Sequence, residues 1–589
     1  MMRSKMRSPR NETHCKARNN AMIRCLPMLI LVAALACAAP LHADQLDNLA
    51  QDFWTWRASE MPVSTDDIPR LQRPSDWVPD WSPAAGIRYQ RELEQFEARW
   101  KSMDSSKWPV ARQVDYRLIG SAIARVRWEL DITRAWQRNP LFYKDQTIGA
   151  YFSLLLPPPP FDATRTREIV NTLASFPKTL QDAKSNLSQP VAPFASLTVD
   201  LLKGVRPALL ESVRELKPLL DKNNSGNIDA TTEKAIVALE TYRDWLVQHL
   251  PGMAPQTAVG RAGYLFFLKH VALLPYTPEQ LLETGRQEWG RAVSFQTYEE
   301  HRNANLPQLP IFKTTEEQVA RERADELAVR RYLEEKNILS VPSSMQHYLH
   351  RGMPAYLKPL LDLDAGEADD FTSPGRLNEN GVRYITAPRP DLGYFMLADA
   401  KEPRTGIVHE GVPGHYFQLT LSWSHPDPIR RHYYDSSANE GIGFYAEEMM
   451  QEAGLFDNSP RSREIIDNFM RLRALRVEVD VKLALGEFNI QQAADYLHAT
   501  VPMDSATALD EASSFAMAPG QAISYQVGKS QIMNFLAEAR RQQGDKFSLR
   551  VFHDYLWLNG NVPISLQRWE YLGMKDDLER VDALPEKSQ

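Results

Sequence analysis

Two histidines six residues apart constrain this 589-residue chain more than any other feature. They are the ends of the segment His409-Glu410-Gly411-Val412-Pro413-Gly414-His415. Imidazole and carboxylate groups are the ligands of hydrolytic zinc sites, which commonly space their histidines at i and i+4 on one helical face. Six residues of an unbroken α-helix turn a side chain by about 600°, or about 240° net, and would point the two rings apart. A regular helix therefore cannot bring these two rings to one metal ion.

The residues between the histidines are the ones that break a helix. Pro413 removes a backbone donor and clashes with the carbonyl four residues earlier, which is that of His409. Gly414 permits the unusual backbone dihedrals of a bulge. We therefore expect a broken or bulged turn that returns both rings to the same side.

A catalytic zinc ion needs three protein ligands and an open fourth position for water. An acidic residue on a nearby downstream helix is expected to be the third ligand. Glu440 lies 25 residues after His415, which leaves room for one helix, a turn and the start of the next helix. The glycines at positions 441 and 443 lower helix stability. They are useful only where another group must approach the helix backbone closely. This pattern favours Glu440 as the third ligand.

The acidic residues of this segment also have purely structural interpretations. Ser437-x-x-Glu440 matches a capping box, in which the glutamate only closes the start of a helix. Glu447 and Glu448 are what an exposed helix face would carry.

Glu410 directly follows the first histidine and is the candidate general base. In metal-assisted hydrolysis such a glutamate does not bind the ion but takes the proton of the metal-bound water and passes it to the leaving amine. The negative charge that develops on the carbonyl oxygen then needs a donor, commonly Tyr, His or Arg.

The start of the chain has the composition of an export signal. Residues 1–25 carry seven Lys or Arg and one acid, and Leu26–Ala39 is an apolar run. Leu41-His42-Ala43 is a small-residue cleavage site, so we interpret residues 1–43 as a signal peptide. Met22 is an alternative start, because a complete leader follows it.

Removal of this leader leaves a chain, residues 44–589, with no cysteine and a formal charge that has moved from −7 to −13. Such a chain cannot use disulfides, and its charge argues against nucleic acid or anionic lipid as the main partner. No later segment reaches the roughly 18 apolar residues that a membrane span needs. These features predict a periplasmic or secreted protein without stable membrane insertion. A lipoprotein attached through Cys37 is the alternative.

Helical periodicity dominates the mature chain and predicts a mainly α fold in a single helical domain. Its N-terminal part is residues 44–300, and residues 301–589 carry the metal site. The predicted helices are residues 88–104, 112–137, 166–187, 194–221, 231–250, 278–300, 315–337, 441–454, 461–486 and 523–543. A small β element is expected close upstream of the histidine motif, at residues 384–386 and 393–396.

Several motifs together resemble one bacterial family. They are His409-Glu410-x-x-Pro413-Gly414-His415-x-x-Gln418, Glu440-Gly441-x-x-x-Tyr445-x-Glu447, Pro519-Gly520-Gln521-Ala522-x-x-Tyr525-x-x-Gly528, Phe552-His553-Asp554 with Gly560, Arg476-x-x-x-Asp480, and upstream Tyr242-x-x-Trp245-Leu246 and Thr277-Pro278-Glu279-Gln280-Leu281. The chain is similar in these residues to the family called domain of unknown function 885, which is grouped by resemblance with zinc metallopeptidases of the glutamate-zincin type.

The resemblance implies a large multi-helical body with a central cleft that holds one zinc ion. It implies that His409, His415 and Glu440 are the ligands and Glu410 the base. Tyr525 and His553 are implied as donors to the transition state.

The chain departs from the family pattern at three places. It has Ser514-Phe515-Ala516 where an Arg-Tyr pair is expected, Ala484 where a histidine is usual, and Ile442 where tryptophan is usual. All proposed ligands are retained, so these departures concern the substrate pocket. Arg476 and Asp480, spaced i and i+4, can also form a structural ion pair.

The sequence therefore predicts an exported zinc-dependent peptidase that acts on small peptides. An amidase for a non-peptide or cell-wall amide would use the same residues. A helical binding protein that retains a metal site is the non-enzymatic alternative. No recognisable motif indicates whether the enzyme trims peptide ends or cuts internally. The same holds for its physiological substrate, its oligomeric state and its native metal.

Overall fold

Amphipathic helices make up most of the molecule, as the periodicity predicts. The structure, a computed structural model, describes residues 41–60, 62 and 71–585, with side chains from Gln45 onward. Most of the predicted leader, with its cysteines, Met22 and the anchor position Cys37, lies outside the described residues. The first described helix begins at Leu41, within the predicted cleavage site.

The α-helices of the described residues are numbered in chain order. Up to residue 335 they are α1 Leu41–Glu60, α2 Pro83–Lys101, α3 Val110–Arg127, α4 Ala135–Arg138, α5 Pro140–Lys144, α6 Ala150–Leu155, α7 Ala163–Asn186, α8 Ala192–Leu202, α9 Val205–Leu216, α10 Ile228–His249, α11 Gly260–Phe266, α12 Pro278–Arg302 and α13 Thr315–Glu335. After it they are α14 Lys358–Leu361, α15 Tyr394–Asp399, α16 Arg404–Gly406, α17 His415–Trp423, α18 Pro428–His432, α19 Ser436–Glu452, α20 Pro460–Leu485, α21 Ile490–Thr500, α22 Ser505–Met517, α23 Ile523–Gln543, α24 Leu549–Leu558, α25 Ile564–Leu572 and α26 Asp576–Ala583.

Two of the predicted long helices are interrupted. The helix predicted at 194–221 is divided into α8 and α9, because Pro207 has no backbone donor and a continuous helix would drive its ring into the carbonyl of Lys203. The helix predicted at 112–137 ends in a π-helical turn and a left-handed residue, Arg134, with φ of 49°. Hydrophobic periodicity alone does not predict either break, because the pattern of polar and apolar residues continues across both.

A three-stranded sheet is the small β element. Its strands are β1 Tyr348–Gly352, β2 Asp369–Asp370 and β3 Gly381–Ile385, in the order β1-β3-β2. β1 runs parallel to β3 with Tyr348 opposite Gly381, and β2 runs antiparallel to it with Asp370 opposite Val382. The described residues thus give a mainly α fold with a small β element, as predicted.

The two predicted strands have different outcomes. Residues 384 and 385 end β3, as predicted, whereas the strand predicted at 393–396 is wrong because α15 begins at Tyr394. The amide of Tyr394 donates to Asp504 at 3.1 Å, and the rings of Tyr394 and Phe395 pack against Phe469. Aromatic residues suggest a strand through their β propensity, but here tertiary packing determines the local structure.

The site is built where long helices cross. α12 packs along α20, and α19 packs closely against α23. At the α19–α23 crossing, a Cβ on Gly441 would lie 2.6 Å from the Cα of Gly528. From Leu46 onward the described helices belong to one compact unit, and no helix among them is both long and apolar enough to cross a membrane.

The crossing provides the first test. Gly441→Ala should lower the free energy of unfolding by about 1–3 kcal/mol, because the added methyl group would overlap the backbone of α23. Gly290→Ala is the matched control, since nothing lies within 4 Å of the added Cβ on α12. The control should be stabilised by about 0.5–1 kcal/mol through helix propensity. Urea unfolding measures both, and equal stability of the two variants would contradict the close crossing.

Candidate metal centre

The segment between the two histidines contains the break that the sequence predicts. Residues Ile407–Gly411 form a π-helical turn, in which the amide of Val412 donates to the carbonyl of Ile407 at 2.8 Å. Val412 is then extended, with φ of −126° and ψ of 121°, and α17 begins at His415. The ring of His415 is therefore placed by a new helix whose orientation is independent of the turn that carries His409.

Gly414 is the residue that makes this path sterically feasible. A Cβ at that position would lie 1.7 Å from the carbonyl oxygen of His409, so a side chain is excluded. The adjoining carbonyl of Pro413 accepts a 2.7 Å hydrogen bond from the indole of Trp557 on α24. The break is thus fixed both by its own sequence and by a distant helix.

His409, His415 and Glu440 come together at this break, and all three are buried. Their potential ligand atoms lie within 4.8 Å of one another. The Oε2 atom of Glu440 is 3.1 Å from Nε2 of His415 and 3.7 Å from Nε2 of His409. The two rings are nearly perpendicular, with centroids 4.7 Å apart. The three side chains proposed from sequence therefore converge on one point.

Helix α19 presents the carboxylate to the rings. Glu440, Gly443 and Glu447 are spaced i, i+3 and i+7 and so share one helix face. A Cβ on Gly443 would lie 3.0 Å from a ring carbon of His415 and 3.1 Å from one of His409. This glycine lets the two rings lie against the helix backbone.

Both structural alternatives for these carboxylates are wrong. The N-cap of α19 is Asp435, which accepts from the amide of Ala438, so Glu440 lies inside the helix and does not close a capping box. Glu447 and Glu448 are buried and do not form an exposed face.

The distances from Glu440 to the two imidazoles are compatible with a zinc ion. Tetrahedral coordination with bonds of about 2.0–2.2 Å places neighbouring ligand atoms about 3.3–3.6 Å apart. The separations from Glu440 Oε2, 3.1 and 3.7 Å, bracket that range. This oxygen is also buried without a hydrogen bond of good geometry among the described residues. Two imidazoles and a carboxylate leave the fourth position of such an ion to a water molecule.

The charges at the site call for a cation. Burial alone would raise the pKa of Glu440, but the imidazoles of His415 and His409 hold it well below its usual range. Burial alone would lower the pKa of His409, yet Glu440 and Glu447 raise it to about 9. The carboxylates are thus ionised and must be balanced by a proton on imidazole or by a metal ion.

Glu410 lies at the more open side of the site, with a side chain 24% exposed. Its Oε1 atom is 3.7 Å from Nη1 of Arg383 on β3. The same guanidinium contacts Asp369 at 3.1 Å and Asp399 at 3.2 Å. The small sheet therefore places a cation next to the proposed base.

Tyr525 is near the cluster, on the first turn of α23. Its ring lies nearly parallel to that of His409, with centroids 6.1 Å apart, and the guanidinium of Arg476 lies 4.6 Å from its ring centre. Burial and the charge of Glu440 hold the pKa of Tyr525 well above its usual value. Its hydroxyl is therefore protonated and can donate a hydrogen bond.

His553 does not fit the donor role that the family resemblance implies. It is fully buried, and its ring nitrogens contact the carbonyl of Ile338 at 2.8 Å and the hydroxyl of Tyr445 at 2.9 Å. Burial lowers its pKa to about 4, so the ring is neutral at pH 7. Since both nitrogens are engaged within the protein, His553 is a packing residue behind the site.

Asp480 anchors the turn that leads into α23. Its carboxylate accepts from the amides of Gly520 at 2.9 Å and Ala522 at 2.8 Å. This turn also places the side-chain amide of Gln521, whose Nε2 atom donates to Glu440 Oε1 at 3.5 Å. Arg476 and Asp480 do not form the ion pair that their i, i+4 spacing allows, because Arg476 instead binds Glu511 through two hydrogen bonds of 2.7 and 2.6 Å.

The structure gives a place at the site to three further side chains. Glu447, which the sequence includes in a family motif but leaves open as an exposed helix residue, has its Oε1 atom 2.6 Å from His409 Nδ1. Its i, i+7 spacing from Glu440 is the signal that places both on one helix face. Arg473 beside Glu447 and Arg383 beside Glu410 were not identified from the sequence. The arginines come from elements distant in sequence, and no local pattern marks them.

Comparison with known proteins establishes the family. The model of a family described as bacterial protein of unknown function (DUF885) matches residues 68–569, and the chain belongs to that family. No curated protein matches the chain.

Two solved structures share the fold. A putative lipoprotein of unknown function from Shewanella oneidensis is 17% identical, with a TM-score of 0.66 over 91% of this chain and 100% of that one. A putative lipoprotein from Colwellia psychrerythraea is also 17% identical, with a TM-score of 0.70 over 92% of this chain and 99% of that one.

The Asp480 anchor gives a second test. Asp480→Ala should lower the free energy of unfolding by about 3 kcal/mol or more, because several buried donors would lose their acceptor. Asp480→Asn keeps one acceptor oxygen, so its free energy of unfolding should lie between those of Asp480→Ala and the wild type. Chemical denaturation measures the series, and a fully stable alanine variant would contradict the anchoring role.

Proposed function

We propose that this member of the DUF885 family is an exported zinc-dependent hydrolase that cleaves peptide bonds of small peptides with metal-activated water. The observation that carries the proposal is the convergence of His409, His415 and Glu440, with Glu410 directly beside the first ligand. A structural zinc site would fill all four positions with protein ligands, whereas the described residues supply three. Three ligands and an adjacent carboxylate are the composition of a catalytic site.

A bound zinc ion would supply a water of lowered pKa and polarise the scissile carbonyl. With the ion bound, the carboxylate of Glu410 would accept a proton from the attacking water and deliver it to the leaving amine. Nη1 of Arg383 lies 3.7 Å from Oε1 of Glu410, so a cation is placed beside this carboxylate. The hydroxyl of Tyr525 donates a hydrogen bond to the carbonyl oxygen as its charge develops.

The location and substrate follow from the same proposal. The predicted leader 1–43 supports a periplasmic or secreted enzyme. A lipoprotein attached to the membrane through Cys37 is the alternative. The ligands are less than one-tenth exposed, which favours substrates with thin, extended chains. A peptide satisfies that requirement.

Metal content is the third test. Wild-type protein should bind about one zinc ion per chain, and Glu440→Ala should lose it because a catalytic site has only three protein ligands. Elemental analysis after dialysis measures this. Full zinc occupancy in the Glu440→Ala variant would exclude Glu440 as the third ligand.

The base is tested separately from the metal. Glu410→Gln should retain zinc and lose at least about 100-fold in kcat, the usual contribution of a general base. Glu452→Gln, on the exposed end of α19, is the control and should match the wild type. Digestion of a peptide library with and without a chelator measures activity and reports cleavage preference. Unchanged turnover by pure Glu410→Gln protein would exclude the general-base assignment.

A further inference from the structure

We infer that Glu447 is the positioning residue for the ligand His409, and that Arg473 holds Glu447 in place. This inference rests on the proposed metal site and assigns roles to two side chains outside the ligand set. It is carried by contacts on the side of His409 that faces away from the other ligands.

The two nitrogens of His409 have different partners. Nε2 faces Glu440 Oε2 at 3.7 Å, whereas Nδ1 lies 2.6 Å from Glu447 Oε1. A neutral imidazole carries one proton, so a ring that binds a metal through Nε2 must carry its proton on Nδ1. Glu447 is the carboxylate next to that proton. A carboxylate in this place fixes the tautomer and the ring orientation and makes the ligand more basic.

Glu447 needs a cation of its own, because its side chain is only 1% exposed. Nη2 of Arg473 donates to the same Oε1 atom at 3.2 Å. The guanidinium lies 4.9 Å from the ring centre of Phe469 and 5.6 Å from that of Phe444. Its Nε and Nη1 atoms are buried without hydrogen-bond partners among the described residues. The aromatic rings thus hold a buried cation whose hydrogen bond goes to Glu447.

The other ligand histidine has no such support. Nδ1 of both histidines is buried without a hydrogen bond of good geometry in the described part of the chain. Nδ1 of His409 nevertheless has a carboxylate oxygen at 2.6 Å, whereas the carboxylate contact of His415, with Glu440, is made at its Nε2. The orientation of His415 instead follows from its position as the first residue of α17, directly after the Gly414 break. The two ligands are therefore held in different ways, one by a charged pair and one by the backbone.

Glu448 provides a matched control on the same helix. It is buried like Glu447 and contacts two cations, Lys529 at 2.8 Å and Arg291 at 2.7 Å. Its partners lie on α23 and α12 and are not metal ligands. Loss of this carboxylate removes a comparable buried ion pair but no group that contacts His409.

The experiment measures zinc affinity in the absence of substrate. The metal-free wild-type chain and its Glu447→Gln, Glu447→Asp and Glu448→Gln variants are titrated with zinc in competition with a chromogenic chelator, and circular dichroism records that each is folded. We expect Glu447→Gln to bind zinc about 10–100-fold more weakly than the wild type, the range found when outer-shell partners are removed. Glu447→Asp keeps the charge opposite Arg473 but retracts the carboxylate from Nδ1, and should also bind more weakly. Glu448→Gln should keep wild-type affinity even if it unfolds more easily.

The outcomes separate the inference from the proposed function. Wild-type affinity in folded Glu447→Gln or Glu447→Asp, or an equal loss in Glu448→Gln, overturns the positioning role alone. If the wild-type chain binds no zinc, the proposed hydrolase is overturned and the inference with it. The aspartate variant keeps the test decisive if the glutamine variant does not fold, because the buried charge pair is retained.

Discussion

A steric constraint in the backbone between residues 411 and 415 underlies the site. Nothing larger than a hydrogen atom fits at Gly414, where a Cβ would meet the carbonyl oxygen of His409. That close approach accompanies the break between the π-helical turn and α17. A continuous helix with the same ligands would separate the rings by about 240°. His409, His415 and Glu440 can converge because the helix is broken at this point.

Buried charge is the second constraint, and it explains why so many helices meet at the site. α19 places Glu440, Glu447 and Glu448 in the protein interior. Ionised carboxylates removed from water are costly unless they are paired. Glu440 is paired with the two histidines of the site, and Glu447 with Arg473 of α20. Glu448 is paired with Lys529 of α23. The packing of α19 against these helices is therefore electrostatic as well as apolar.

The sequence predicted the parts of this arrangement that depend on local pattern. Period-3.6 hydrophobicity located most long helices to within a few residues, and the Pro413-Gly414 pair indicated the break. Sequence-based prediction failed where tertiary contacts override local propensity, as in α15, where aromatic residues suggested a strand. It also could not identify contacts between side chains from distant segments. Arg473 is one case, and Arg476, which binds Glu511 and not Asp480, is another.

The same limit applies to the functional residues. His553 matched a family motif, but only the fold shows that both of its ring nitrogens are occupied. For Glu447 the sequence left an exposed helix face as an alternative, and only the packing of α19 shows its contact with His409. The ligands themselves could be proposed because metal chemistry restricts their residue types and spacing.

Locating the metal directly tests the central claim. Crystals of the zinc-loaded protein, measured above and below the zinc absorption edge, give an anomalous difference map of the ion. The account predicts one strong peak about 2.0–2.2 Å from Nε2 of His409, Nε2 of His415 and a carboxylate oxygen of Glu440, with a water molecule as the fourth neighbour. A peak elsewhere, or an ion surrounded by four protein ligands, would contradict it.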